Sequence, residues 1–188
     1  MVWKASHKEE SRQKILTAAA DLFTRKGFNR VGIDDVMAAA GMTRGAFYAH
    51  FSSKFELYEE AILKAGRAAM QHFEENSASS EDLIKNYLSE EHLLSDDIRC
   101  PLACLVSDVA HDDVRVKQTY TKIFKGFLKN LQEKPESGNE ESAVLLKAVL
   151  MIGGMALARS LTDKQLAKKI LKTCSEAAMV PEREGSNY

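Results

Sequence analysis

Apolar residues recur at three- and four-residue steps through almost the whole chain, and that spacing is the period of the α-helix. The clearest stripe is Val116, Tyr120, Ile123, Phe124, Phe127, Leu128 and Leu131. A second runs Ile15, Ala18, Ala19, Leu22, Phe23, and a third Ile33, Val36, Met37, Ala40. No stretch alternates with period two, no hairpin signal stands out and no internal repeat is visible. Punctuation is sparse, with 10 Gly and 3 Pro in 188 residues. The pattern predicts an all-α fold of about nine helices. The first runs from about residue 10 to Lys26 and stops at Gly27; the second covers about 33–40 and ends at Gly41. Thr43 is placed to cap a short third helix to about His50, and Ser53 to Glu56 reads as a capping box opening a fourth to about Glu75. A fifth follows the 76–80 loop and reaches about Leu94; the sixth starts at Pro101 and the seventh is the stripe from Val116. The eighth covers about 140–161, and a capping box from Thr162 to Gln165 opens the ninth. A polar linker is expected at 133–139 and a frayed tail at 181–188.

Composition narrows the class. A chain 45% hydrophobic offsets its ordering entropy by burial, so disorder is excluded. Three cysteines are too few and too odd a number for a disulfide scaffold and point to a reducing compartment. The start lacks the apolar core of a secretory signal, and the run from Ala143 to Ala158, interrupted by Lys147, is expected to fall short of a membrane span. The expectation is a cytoplasmic protein with no membrane partner. The eighth helix is apolar nearly all round and must be covered on every side. In a chain this small, that predicts a homodimer through the eighth and ninth helices.

Charge is unevenly placed. Residues 1–54 hold nine Lys and Arg against five acids, a surplus of +4, and the remainder sums to −5. A basic head on an acidic body suits a polyanion partner. Within that head, helix, Gly-Met-Thr turn and short helix form a helix-turn-helix outline, whose second helix reads the DNA major groove. The candidate contacts are Arg30, Gly32, Met42, Thr43, Arg44, Gly45, Ala46, Tyr48, His50 and Lys54. Arg44 can fork onto guanine O6 and N7, and Ala46 can touch a thymine methyl. Gly45 lacks bulk, so bases can come close. Thr43, Tyr48, His50 and Lys54 can donate to phosphates.

The segment from Ile33 to Leu57, preceded by Gly27-Phe28, resembles the DNA-binding domain of the TetR/AcrR family of transcriptional regulators, and about residues 10–60 carry the likeness. The resemblance implies a three-helix N-terminal helix-turn-helix head (1–52) and a helical ligand-binding and dimerisation domain (53–188). It also implies a homodimeric repressor on a near-palindromic double-stranded DNA operator, released by a small-molecule inducer, and no enzyme. Family members commonly carry a hydroxyl residue just before the second helix; Val31-Gly32 stands here, leaving the phosphate to the Ile33 and Asp34 N–H groups and Arg30. Residues 100–110 further resemble a subgroup with a Cys-Pro-Leu-Ala turn, some of whose members respond to electrophiles or oxidants.

Two ways of sensing remain open from the residues. Cys100, at the expected start of the sixth helix beside Arg99, is placed to become a thiolate, with Cys104 one turn on as a resolving partner. The alternative is an inert structural pair. A pocket could be lined by His72, Phe73, Tyr87, Tyr120, Phe124, Met151 and Met155, or the same residues could be plain core. Gly153-Gly154 either permits close helix approach or leaves room for a ligand. A thiol enzyme is disfavoured, because Cys100 and Cys104 stand in no sequence relation to a base. No cofactor and no metal is called for; His111, Asp112 and Asp113 read as a helix cap.

Overall fold

The computed structural model describes residues 2–96, 99–132 and 141–179. The expected linker at 133–139 and tail at 181–188 lie outside them. Among the described residues there are ten helices and no strand: α1 (Val2–Lys26), α2 (Ile33–Ala39), α3 (Arg44–Phe47), α4 (Lys54–Glu75), α5 (Ser80–Tyr87), α6 (Glu90–Leu94), α7 (Pro101–Ala110), α8 (Val114–Gln132), α9 (Glu141–Arg159) and α10 (Lys164–Met179). One more helix is present than periodicity marks, because the expected fifth divides. Ser89 accepts from the His92 N–H at 3.1 Å and starts α6 afresh.

Local chemistry sets most boundaries. Gly27 ends α1 at φ 76° and Gly41 closes α2 at φ 69°, the left-handed region where a Cβ is strained. Gly32 opens α2, and the Asp35 carboxylate accepts its N–H at 2.7 Å. Thr43 holds the N-cap position of α3 with extended backbone, but its hydroxyl makes no capping bond. The two expected capping boxes are modified. Ser53 does accept from the Glu56 N–H at 3.1 Å, yet the Glu56 carboxylate returns to Ser52, taking its N–H at 2.7 Å. At α10 the cap is Asp163 rather than Thr162, its carboxylate accepting from Gln165 and Leu166; a charged acceptor serves the helix N-terminus better than a hydroxyl. Asp113 caps α8 by accepting from the Arg115 N–H at 2.8 Å.

Helix α4 organises the packing. Its first half buries Leu57, Tyr58, Ala61 and Ile62 against α1, and its second half buries Ala69, Met70 and Phe73 in the body. Phe23, Phe28, Phe55 and Tyr58 pack as one aromatic group, with Tyr58 edge-on to Phe23 and Phe28 at centroid distances of 5.1 and 5.0 Å. In the body Phe73, Tyr87, His92 and Phe127 form a second group. There the His92 Nδ1–H donates to the Tyr87 carbonyl at 2.6 Å, and burial pushes the imidazole down to about 4.

Helices α9 and α10 make the largest helix–helix contact. Contrary to the sequence expectation, α9 has the length and mean hydropathy (1.7) of a membrane span despite Lys147. Its inner face, Val144, Ala148, Met151, Ile152 and Met155, is nonetheless buried in the fold, as in a core helix. Gly154 serves close approach, since a Cβ there would lie 2.8 Å from Cys174 Sγ of α10. Gly153 has open space around it and faces outward.

Head and body meet where the α1–α2 turn sits on the end of α7. Asn29 donates to Asp112 at 3.1 Å, and the Arg115 guanidinium lies 4.5 Å from the Phe55 ring centre. A Cβ on Gly27 would stand 2.9 Å from the Asp108 carboxylate as well as being strained. Gly27→Ala should therefore cost about 1–2 kcal/mol. Gly45→Ala, where nothing lies within 4 Å, should be near neutral in the same urea denaturation series.

Candidate nucleic-acid interface

The α2–turn–α3 unit is held from beneath. Val36 and Met37 of α2, Phe47 of α3 and Phe51 just after it are buried, so each short helix presents its other face outward. Thr43, Arg44, Gly45 and Tyr48 form that outward face of α3, with Tyr48 61% exposed. Arg30 and Gly32 are exposed beside them. These are six of the ten residues expected at a duplex, gathered on one side by residues spaced to bury Phe47 and Phe51.

The other four stand differently. Met42 and Ala46 are half-buried and pack against the core, because the four-residue α3 must turn part of its surface inward. His50 is half-buried with Nδ1 enclosed. The Lys54 ammonium sits 4.1 Å from the Phe28 ring centre; burial pushes its pKa down while Asp112 and Asp35 pull it up. It acts as a tether between head and body rather than a free cation. Arg44 is free to swing but is already engaged, donating to Asp34 across the turn at 2.6 Å. Arg12, which periodicity did not single out, grips Glu60 of α4 with both carboxylate oxygens and lies 4.8 Å from the Phe51 ring centre. Arg12 and Glu60 are 48 residues apart, so no local signal marks the pair.

The body contains a cavity of about 560 Å³ between α4, α7 and α8. Of the expected lining, Phe73 and Tyr87 reach it, and Cys100, expected as a thiol sensor, borders it too. His72 faces a separate groove beside α1, and the Tyr120 hydroxyl is spent on the Leu102 carbonyl at 2.7 Å. Met151 and Met155 are fully buried core of α9, and Phe124 packs against that core. Helical spacing marks residues that face inward without saying whether they meet a void or a neighbour. The mouth is polar, with Arg67, Glu74, Lys122 and Asn130, and Gly126 leaves open space in its wall. Polar residues on an exposed helix face read as solvated surface, which is why sequence passed them over. Among the described residues no group of His, Cys, Asp and Glu is placed to hold a metal ion.

Cys100 does stand at the start of α7, but not as an exposed thiolate. It is buried, its side chain makes no capping bond, and desolvation pushes its thiol up more than the nearby Tyr87 hydroxyl and the Leu102 and Ala103 amides pull it down. Cys104 is half-buried, its Sγ 3.0 Å from an Arg159 N–H; burial raises its pKa more than Arg159 and Arg99 lower it. Burial outweighs the helix terminus, and all three thiols are free. Alkylation by iodoacetamide at pH 7.5, followed by peptide mass mapping, should therefore modify Cys104 and Cys174 well before Cys100. Preferential labelling of Cys100 would restore it as a reactive thiol.

Comparison with known proteins gives this geometry a context. Residues 15–61 match the model of bacterial regulatory proteins, tetR family. The HTH-type transcriptional regulator SrpR of Pseudomonas putida is 40% identical over 68 residues, which are 36% of this chain and 30% of that protein. The chain thus spans less than a third of the length of SrpR. The HTH-type transcriptional repressor BepR of Brucella suis biovar 1 is 26% identical over 169 residues, 77% of this chain and 78% of that protein. In overall fold the chain resembles a transcriptional regulator of the TetR family from Cytophaga hutchinsonii, with a TM-score of 0.73 over 92% of this chain and 94% of the other at 14% identity.

Proposed function

We propose that the chain is a homodimeric, cytoplasmic transcriptional repressor that binds a near-palindromic operator and is released by a small molecule, a reading supported by the match of residues 15–61 to the model of bacterial regulatory proteins, tetR family. Residues 1–52 act as the DNA-binding head and 53–188 as the regulatory and dimerisation body. The observation that carries the reading is the outward face of α3. Thr43, Arg44, Gly45 and Tyr48 are exposed together among the described residues. Arg44 exchanges the exposed Asp34 carboxylate for a guanine edge, an exchange that costs little because a surface ion pair contributes little. Tyr48, Thr43 and Arg30 donate to phosphates, and Gly32 lets the backbone at the start of α2 come close to one.

Two heads need a two-fold partner. The outward stripe of α9 is apolar, with Leu146, Val149 and Leu157 exposed and Gly153 half-buried, and Leu166 of α10 is exposed as well. Such a stripe on the largest helix pair supports a self-complementary four-helix seam with a second copy. Sedimentation should find the wild type dimeric and Val149→Asp monomeric, with no loss of helix content by circular dichroism. A wild-type monomer at micromolar concentration would sink the seam.

Release follows from α4, which is shared. Gly66, Met70 and Phe73 on its second half wall the cavity, while Leu57, Tyr58 and Ala61 on its first half are core to the head. A ligand that prefers one placement of α4 therefore biases the spacing of the heads, a coupling between two sites. Of the two release routes, cavity occupancy is better supported than oxidation of Cys100, whose thiol is buried and held protonated. The deciding experiment is selection of genomic fragments by the purified protein, then fluorescence anisotropy on the selected site. Arg44→Ala should weaken specific binding by about 1–3 kcal/mol and relax one base position. Unchanged affinity and unchanged preference would remove Arg44 as the reader.

A further inference from the structure

The body has a second large hollow. About 700 Å³ in volume, it opens between α6, the flanking Ser95, Asp96 and Arg99, the end of α9 and the first turns of α10. Among the described residues four cations reach its wall, Arg99, Arg159, Lys164 and Lys168, against two carboxylates, Glu90 and Asp96. Both carboxylates are already engaged: Glu90 takes Lys168 at 2.7 Å, and Asp96 pairs with Arg99. Among the described residues neither Arg159 nor Lys164 has a carboxylate partner.

Arg159 is the informative one. Its half-buried guanidinium donates to the His92 carbonyl at 2.8 Å and toward Cys104 Sγ at 3.0 Å, and its Nε is enclosed with no partner. A carbonyl and a thiol leave the charge uncompensated, and a charge drawn out of water without a counter-ion is costly. The planar fork of a guanidinium is matched by a carboxylate. Apart from Ser95 and Thr162 the rest of the described wall is hydrocarbon, from Leu93, Leu94, Ala158, Leu161 and Ala167, and Leu94 is 72% exposed. Unpaired cations beside an uncovered apolar wall describe an amphiphilic anion.

We propose that this hollow binds an organic carboxylate with a short aliphatic body, the carboxylate at Arg159 and Lys164 and the chain against Leu93, Leu94 and Leu161. The site is separate from the cavity between α4, α7 and α8, and its occupancy does not depend on DNA binding. The test is calorimetric titration of the full-length protein with octanoate, 1-octanol and inorganic phosphate. Octanoate should bind at least roughly tenfold more tightly than either of the others, the margin expected of one charge-assisted pair and a few buried methylenes. Arg159→Gln should lose most of that margin. Lys164→Glu and Leu94→Asp, both at exposed positions that leave the core intact, should each weaken octanoate severalfold. Gly126→Leu, which fills the wall of the other cavity, should leave octanoate unaffected. Equal binding of octanol or of phosphate, loss of octanoate binding in Gly126→Leu, unchanged affinity in both Lys164→Glu and Leu94→Asp, or no heat at millimolar octanoate would each overturn the proposal.

Discussion

The structure depends on one helix having to satisfy two cores. The apolar face of α4 is continuous from Leu57 to Phe73, and its two halves are buried against different partners. The first half closes the aromatic group of Phe23, Phe28, Phe55 and Tyr58; the second half meets Phe127 and Ile123 of α8 across the cavity. A close-packed interior transmits displacement rather than absorbing it. Whatever moves the cavity end of α4 therefore acts on the floor that positions α2 and α3. The Arg12 clamp on Glu60 and the Lys54 contact with Phe28 reinforce that floor from the polar side.

Burial also decides the electrostatics. Cys100 and Cys104 sit where the sequence suggested a reactive pair, His92 is buried in the body, and desolvation is the largest influence on all three. Their neutral forms suit an interior that has to hold its shape around a void. Arg159 and Lys164, which have no carboxylate partner among the described residues, lie instead toward the end of α9 and the start of α10, the first half-buried and the second exposed. The body thus separates a mainly apolar cavity from a cationic hollow, and the two call for different ligands.

Much of the candidate interface was legible before any coordinates. The glycines at 27 and 41 mark where α1 and α2 must end, and the spacing of Phe47 and Phe51 fixes which side of α3 is left outside. Thr43, Arg44, Gly45 and Tyr48 follow from that phase alone. Met42 and Ala46 do not, because half-burial in so short a helix depends on what lies beneath it. The division between α5 and α6 was hidden for a related reason: Ser89 and Ser79 are equally good caps in sequence, and only packing shows that both are used.

The chain by itself determined that it would be helical, where most helices begin and end, and which faces turn inward, since period, glycine and capping chemistry act within a few residues. Tertiary structure alone decided which inward residues meet a neighbour and which meet a void, so that Phe73 and Tyr87 border a cavity while Met151 and Met155 are solid core. It also decided that Cys100 stays a thiol and that Arg159 has no carboxylate partner among the described residues. Those outcomes are set by groups tens of residues apart, and sequence periodicity carries no term for who stands opposite.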